Sequence, residues 1–163
     1  MNAPDLDAID LQLLARLQVD SSLSNQALAA LVHVSPPTCL RRVKRLHDTG
    51  LIEREIAVLN ADHLARAFGH GLSAVVEVTL DRQDQAALER FEQRLQAEDA
   101  VQQCYRVSPG PDFCLVVHAA NMPAYLALTQ RLFTTDANVR NVKTFFSIKR
   151  SKFGARLPLP ELP

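Results

Sequence analysis

The sequence has neither an excess of charge of one sign nor a long hydrophobic run. Lysine plus arginine and aspartate plus glutamate both total 18, so the formal net charge at pH 7 is zero. This balance argues against nonspecific coating of nucleic acid, but a local basic surface could still bind it. The apolar runs, such as FCLVVHAA, are far shorter than the roughly 18 residues that span a bilayer. Because the start MNAPDLDAID is acidic and has no apolar core, we expect neither a signal peptide nor a membrane partner.

Cysteine is scarce. Cys39, Cys104 and Cys114 are odd in number, and none lies in a CxxC pair. This pattern predicts reduced, mostly buried thiols in a cytoplasmic protein.

Motifs of catalysis and cofactor binding are absent as well. The five histidines form neither HExxH nor a zinc-spaced cluster with cysteine, and no GxSxG elbow occurs. GHGLSA fits GxGxxA at Gly69, Gly71 and Ala74, but it precedes a strand-like run, whereas a dinucleotide site opens a helix. We therefore predict no catalytic residue, no metal and no cofactor, and interpret these glycines as hinge flexibility.

The first thirty residues contain two amphipathic helices. Asp7 is placed to cap the first, and Asp10 lies in its first turn, near the positive end of the helix dipole. Its apolar stripe recurs at steps of three and four residues: Leu6, Ile9, Leu13 and Leu17. Ser24 is the expected N-cap of the second helix, with Leu23 and Leu28 at the spacing of a hydrophobic staple.

A third helix follows after the short gap HVS. Ser35 is its expected N-cap, Pro36 its first residue and Gly50 its stop. Two helices joined by so tight a turn, behind a packing helix, form a helix-turn-helix. The β-branched residues of LIEREIAVL, at positions 51–59, predict a strand that leads out of this domain.

The third helix carries four basic residues within positions 41–45. On a helical wheel one side is apolar, and the other consists of Thr38, Arg41, Arg42 and Arg45. In an isolated helix such a face is usually only solvated. The second helix of a helix-turn-helix enters the DNA major groove, where arginine binds guanine or phosphate. The context therefore favours a DNA-binding surface with three outward guanidinium groups.

From about residue 72, strand-like and helix-like segments alternate. The strand-like segments are LSAVVEVTL, VQQCYRV, FCLVVHA and NVRNVKTFFSIK. The helical ones are DQAALERFEQRLQA and MPAYLALTQRLF, the latter capped by Asn121. This order predicts a ferredoxin-like βαββαβ arrangement. The Pro-rich end LPLPELP is expected to be extended or disordered.

The segment from LDAID to GLI resembles the N-terminal domain of the Lrp/AsnC (leucine-responsive, feast/famine) bacterial transcription regulators. The motifs that carry the resemblance are Leu-Asp-x-x-Asp, the Ser-Asn before helix two, and Ser-Pro-x-x-Cys-x-x-Arg-Val-x-Arg-Leu. It continues through AVLNADHL to about residue 152. Together with the basic face, it implies these DNA-binding residues: Ser24, Asn25, Ser35, Pro37, Thr38, Arg41, Arg42, Lys44 and Arg45. His33 stands where the family usually has glycine, which implies a left-handed turn that histidine tolerates.

The family's second half binds a small effector, usually an amino acid, between subunits. Its loop Gly-x-x-Asp-Tyr-Leu-Leu corresponds here to PGPDFCL, with Pro109 in place of the glycine. Proline removes a backbone donor, so this loop must hold a carboxylate differently. The effector residues that the resemblance implies are Arg106, Asp112, Met122, Phe145, Phe146 and Ser147. From the residues alone, Met122 and Phe145 are more typical of a core than of a ligand site, and Asp112 could simply brace the turn.

These observations predict an α+β fold: an N-terminal winged helix-turn-helix domain followed by a ferredoxin-like βαββαβ sandwich. The expected divisions are a DNA-binding domain at 1–60, a hinge at 61–70, an effector-binding and oligomerisation domain at 71–150, and a Pro-rich tail at 151–163. We expect a cytoplasmic regulator, not an enzyme, that binds a pseudo-palindromic double-stranded operator as a homodimer or a higher oligomer such as an octamer.

Two other functions fit the same architecture. Sirohaem decarboxylases resemble it but are enzymes, and His70 or His118 could serve such chemistry. A metabolite-binding module without DNA activity is the second alternative. The basic face of the third helix argues against both, because neither function needs it.

Overall fold

The chain divides into two units, Met1–Val58 with Lys152–Pro163, and Leu59–Ser151. The computed structural model describes residues 6–69 and 71–160. Within these residues no helix is both long and apolar enough to cross a bilayer.

The first unit contains three helices, α1 (Ala8–Leu17), α2 (Asn25–Leu31) and α3 (Pro36–Asp48). The expected caps of α1 and α2 are confirmed: the Asp7 carboxylate accepts from the Asp10 amide, and the Ser24 hydroxyl accepts from the Ala27 amide. The helices enclose a small apolar core of Leu13, Leu28, Ala29, Val32, Cys39 and Leu46. Leu13 lies in the apolar stripe expected for α1, and Cys39 and Leu46 lie on the apolar side of α3, so local periodicity indicated part of this packing.

Ser35 is the N-cap of α3 and Pro36 its first residue, as predicted, but Ser35 makes no side-chain capping bond. Its hydroxyl pairs instead with the Thr38 hydroxyl at 2.8 Å. The strand expected at 51–59 is wrong, because residues 51–60 form no strand. Ile56 and Val58 are 64% and 61% exposed; β-branched residues favour extended backbone, but a strand needs a neighbouring strand to pair with.

The second unit begins with helix α4 (Ala61–Phe68) in the segment expected to be a hinge. The Asn60 side chain caps it by accepting from the His63 amide at 3.0 Å, and Gly69 ends it in a left-handed conformation with φ of 69°. An N-cap residue and a following glycine are both sequence signals of a short helix.

A four-stranded antiparallel sheet and two helical segments complete this unit. The elements in chain order are β1 (Leu72–Leu80), α5 (Gln85–Gln96), β2 (Val101–Arg106), β3 (Phe113–Ala119), α6 (Met122–Thr129) with a π-helical continuation Gln130–Thr134, and β4 (Val139–Phe146). The strand order β2-β3-β1-β4 is that of the expected ferredoxin-like sandwich. Asn121 caps α6, as predicted.

One face of the sheet is covered by the helices, and the other is open. Val76 and Val78 of β1 pack with Phe91 of α5 and Leu128 of α6, and all four are 3% exposed or less. Side chains alternate along a strand, so Val75, which directly precedes Val76, lies on the open face and is 39% exposed. The sheet therefore presents apolar side chains on a face that this chain does not cover.

Candidate DNA-binding and effector sites

The turn between α2 and α3 has the backbone that the sequence predicted. His33 has a φ of 56°, in the left-handed region that glycine favours and histidine tolerates. Asn25, at the start of α2, donates from its side chain to the Pro36 carbonyl at 2.9 Å. Asn25 therefore ties the N-termini of α2 and α3 together, a fixing contact that the sequence did not reveal.

The outward surface of α3 is basic. Arg41 and Lys44 are exposed, together with Pro37 and Leu40 on the same side. No ion pair to Arg41 or Lys44 occurs in the part of the chain that the structure describes. These two cations, three residues apart, are thus available to a polyanion.

Arg42 does not belong to that surface, so the expectation of three outward guanidinium groups is wrong. Its side chain is only 17% exposed, and its Nη1 lies 2.8 Å from Asp7 Oδ2 and 2.9 Å from Asp10 Oδ1. A helical wheel assigns an angle to Arg42 but does not reveal that α1 packs beside it. Arg45 is intermediate: its Nη2 lies 2.5 Å from Asp10 Oδ2, yet its side chain is 42% exposed.

The sequence analysis underestimated the role of Asp10. It was interpreted as a first-turn acidic residue, but it is fully buried. Burial raises the pKa of its carboxyl, whereas hydrogen bonds from Arg45, the Asp7 amide and Arg42 lower it, and the net pKa lies below the ordinary value. The spacing could have indicated this contact, because Asp7 and Asp10 are separated by three residues, as are Arg42 and Arg45.

The six proposed effector residues form two groups at opposite ends of the sheet. Phe146 pairs with Ala74 near the start of β1, and Ser147 donates from its amide to the Ser73 carbonyl at 2.8 Å. Asp112 instead accepts from the amide of Leu80, at the end of β1. Leu80 lies six positions after Ala74, a distance of about 20 Å at roughly 3.3 Å per residue. A single chain therefore does not bring the two groups into one pocket.

Phe145 and Phe146, both expected to bind the effector, lie on opposite faces of the sheet. Residues paired across antiparallel strands share a face, and Phe145 pairs with Val75 of the open face, whereas Phe146 pairs with buried Ala74. Phe146 accordingly stacks edge-on against Tyr125 of α6, with ring centroids 5.1 Å apart. Phe145 is 54% exposed and Met122 is 42% exposed, so neither is a core residue.

Asp112 and Arg106 make separate contacts. Asp112 Oδ2 accepts from the Leu80 amide at 2.7 Å and from Gln83 at 3.3 Å. Arg106 lies toward α5, where it is 4.0 Å from Glu92 and donates weakly to Gln85. The carboxylate thus braces a turn, as the simpler interpretation allowed, while the guanidinium remains partly exposed.

A cleft of 430 Å³ lies beside the start of β1, and its lining includes Ser73, His118 and Ser147. His118 Nδ1 is 2.8 Å from the Ser73 hydroxyl. Burial and nearby Arg150 lower the pKa of His118, which favours its neutral form at pH 7. The other histidine considered for catalysis, His70, lies outside the described residues.

The cysteines are less uniformly buried than expected. Cys39 is fully buried, but Cys104 and Cys114 are partly exposed. Burial raises the pKa of the Cys39 and Cys104 thiols, so they stay protonated near neutral pH. Within the described ranges no group of three or more metal-binding side chains occurs.

Comparison with known proteins gives a consistent assignment for both units. Residues 6–47 match the AsnC-type helix-turn-helix domain, and residues 73–157 match the Lrp/AsnC ligand binding domain. The leucine-responsive regulatory protein of Rhizobium meliloti is 36% identical over 148 residues, which cover 91% of this chain and 92% of that protein.

Solved structures agree in overall fold. An AsnC family transcriptional regulator from Agrobacterium tumefaciens has a TM-score of 0.82 at 27% identity, covering 94% of this chain and 97% of that one. A transcriptional regulator from Neisseria meningitidis, in complex with L-Met, has a TM-score of 0.81 at the same identity and coverage.

Proposed function

The chain belongs to the Lrp/AsnC family of transcription regulators, and from that membership we propose that it reads a pseudo-palindromic operator through the outward surface of α3. The observation that carries this proposal is the pair Arg41 and Lys44, exposed on the second helix of a helix-turn-helix and without an ion pair to any acidic residue that the structure describes. Such a helix inserts into the major groove. A two-fold dimer would present two copies about one or more helical turns apart.

The test is a gel shift and anisotropy titration with the DNA upstream of the protein's own gene. Arg41→Ala should weaken specific binding by about 1–3 kcal/mol if this residue reads a base. If Lys44 contacts phosphate, Lys44→Ala should reduce the salt slope, the steepness with which the log of the binding constant falls with the log of salt concentration, by about one. The matched control is Arg140→Ala, which removes an arginine of β4 that is 71% exposed. If an Arg41/Lys44 double variant kept the same operator affinity and salt slope, α3 would not be the helix that binds the operator.

We further propose that a small amino acid is the effector and that its site unites two subunits. Arg106 and Asp112 of one copy would face Met122, Phe145 and Ser147 of another, because one chain holds these groups at opposite ends of its sheet. Phe146 lies on the opposite face from Phe145, against Tyr125, and is not included in this site. A cation, an anion and an apolar wall suit a zwitterionic, moderately apolar ligand. The L-Met complex of the Neisseria relative supports the same ligand class.

Effector binding would act by changing assembly, since a ligand at an interface stabilises whichever arrangement it binds better. We propose a homodimer that associates further to a higher oligomer such as an octamer, acting in the cytoplasm where bacterial DNA lies. A thermal-shift screen of the twenty amino acids, repeated with light scattering, would test both points. A response to none of them would contradict amino-acid sensing.

Enzymatic activity remains the competing proposal and is less well supported. A sirohaem decarboxylase-like enzyme would bind a tetrapyrrole, so the purified protein would show porphyrin absorbance or gain it on titration. A metabolite-binding module would respond to amino acids but shift no DNA. The gel shift and the absorbance scan together separate the three functions.

A further inference from the structure

Asp10 joins the recognition helix to the helix behind it. Its carboxylate accepts three hydrogen bonds: Oδ1 from Arg42 Nη1 at 2.9 Å, and Oδ2 from Arg45 Nη2 at 2.5 Å and from the Asp7 amide at 3.2 Å. The side chain is 1% exposed. A buried carboxylate is stable only when its lone pairs are satisfied, and here α3 supplies two of the three donors.

The two arginines use this contact differently. Arg42 is mostly buried, and its Nη1 also reaches Asp7, so little of its guanidinium group is accessible to DNA. Arg45 gives one nitrogen to Asp10, while 42% of its side chain is exposed. Guanidinium carries five N–H donors in a rigid plane, so anchoring one nitrogen fixes the direction of the others.

Arg45 lies four residues after Arg41, hence on the same side of the helix. Its anchored plane stands at the margin of the exposed surface formed by Arg41 and Lys44. An unanchored arginine would lose rotamer freedom on meeting DNA, whereas this one has already lost it on folding.

We propose that Asp10 is a positioning residue for DNA recognition, which acts by holding Arg45 in one orientation at the edge of the reading surface. This inference rests on the proposed operator binding and identifies a residue that does not itself meet DNA. The expected change in DNA binding is opposite to the one that charge alone would give. Asp10 is an anion near a polyanion, so removing its charge should strengthen DNA binding if electrostatics alone matter, and should weaken specific binding if positioning matters.

The experiment uses the full chain and an operator duplex enriched by the wild-type protein from random-sequence DNA. The measured quantity is the ratio of the dissociation constants for a scrambled duplex and the operator, with circular dichroism melts to verify folding. Asp10→Asn should lower this ratio about tenfold, the loss of one well-placed contact. Arg45→Ala should lower it by a similar factor, and the Asp10→Asn/Arg45→Ala double variant should lower it no further.

Asp7→Asn is the matched control. It removes the same charge from the same helix end, retains a good N-cap residue, and its carboxylate contacts Arg42 but not Arg45. Its ratio should be unchanged. A raised or unchanged ratio for Asp10→Asn, or additive losses in the double variant, would overturn the inference.

If Asp10→Asn does not melt cooperatively, the two arginines carry the test. Arg45→Ala should then lower the ratio while Arg42→Ala leaves it unchanged, and the opposite pattern overturns the assignment. A wild-type protein that does not distinguish operator from scrambled DNA would instead contradict the proposed function. The two failures are therefore distinguishable.

Discussion

Asp112 accepts a hydrogen bond from the Leu80 backbone amide at 2.7 Å, and so ties the loop before β3 to the end of β1. In the other direction, the Asp112 amide donates to the Val78 carbonyl at 2.9 Å. The residue that the family resemblance implies for effector binding is thus also a brace of its own turn. The two roles make separable predictions.

Asp112→Ala should lower the free energy of unfolding by about 1–3 kcal/mol, because it leaves the Leu80 amide without its acceptor. Asp112→Asn keeps an oxygen for that amide but loses the charge, so it should melt nearly as the wild type does. If Asp112 binds the effector's ammonium, the Asn variant should nevertheless lose the amino-acid response. Urea unfolding and ligand thermal shifts measure the two effects.

The control is Asp81→Ala, since Asp81 is 59% exposed and only 4.0 Å from Arg140. It should change neither stability nor response. Retained amino-acid response in the folded Asp112→Asn variant would leave Asp112 as a brace alone.

His33 offers a test of backbone strain. Because its φ is 56°, His33→Val should destabilise the protein by about 1–3 kcal/mol, as a β-branched residue is strained there. His33→Gly relieves strain but adds freedom to the unfolded chain, and should change stability by less than about 1 kcal/mol. Circular dichroism melts measure the order of stability of the wild type and these two variants. His63 is an exposed histidine in α4, so His63→Val should destabilise the protein much less than His33→Val. Equal losses of stability in the two variants would refute the strain argument.

The open sheet face predicts association. Phe145, Val75 and Tyr105 are 54%, 39% and 55% exposed, and a second copy covering this face would bury them. Phe145→Asp would place a charge in that contact, so it should shift the protein toward monomers in light scattering at micromolar concentration. Leu126→Asp, at a residue of α6 that is 59% exposed, should not. A monomeric wild type would contradict the dimer itself.

The fold was predictable because its signals are local. Alternation in LSAVVEVTL defines β1, and polar caps such as Ser24 and Asn121 mark where helices begin. The expected strand at 51–59 was wrong because propensity cannot supply a partner strand. Helix α4 was missed although Asn60 and Gly69 bound it, since the glycines nearby were interpreted as a hinge.

The site was less predictable because it depends on contacts between elements. The wheel separated polar from apolar faces of α3, but Arg42 turned inward toward Asp10, a residue 32 positions away. Likewise Phe145 and Phe146 were both assigned to the effector site, although adjacent strand residues face opposite ways. Family resemblance identifies which residues matter, and it does not state how many chains must supply them.

The buried Asp10 should also make stability depend on acid. Its folded-state pKa lies below the ordinary value because the hydrogen bonds from Arg45, the Asp7 amide and Arg42 outweigh the effect of burial. A group of this kind contributes stability above its unfolded pKa, about 3.9, and loses it as the pH falls through the folded value. Asp10→Asn should therefore be less stable than the wild type by about 1–3 kcal/mol near pH 7, since both guanidinium groups lose a charged partner and one of the two acceptor oxygens becomes an NH2 donor.

That difference should persist down to about pH 5 and shrink progressively below pH 4, as the wild-type carboxyl takes up its proton. Urea unfolding followed by circular dichroism from pH 3 to pH 7 measures it. Asp20→Asn is the comparison, because hydrogen bonds from Ser22 also lower the pKa of Asp20, but at an exposed site. A wild-type to Asp10→Asn difference that stays constant across this range would mean that the ion pair with α3 contributes nothing to stability.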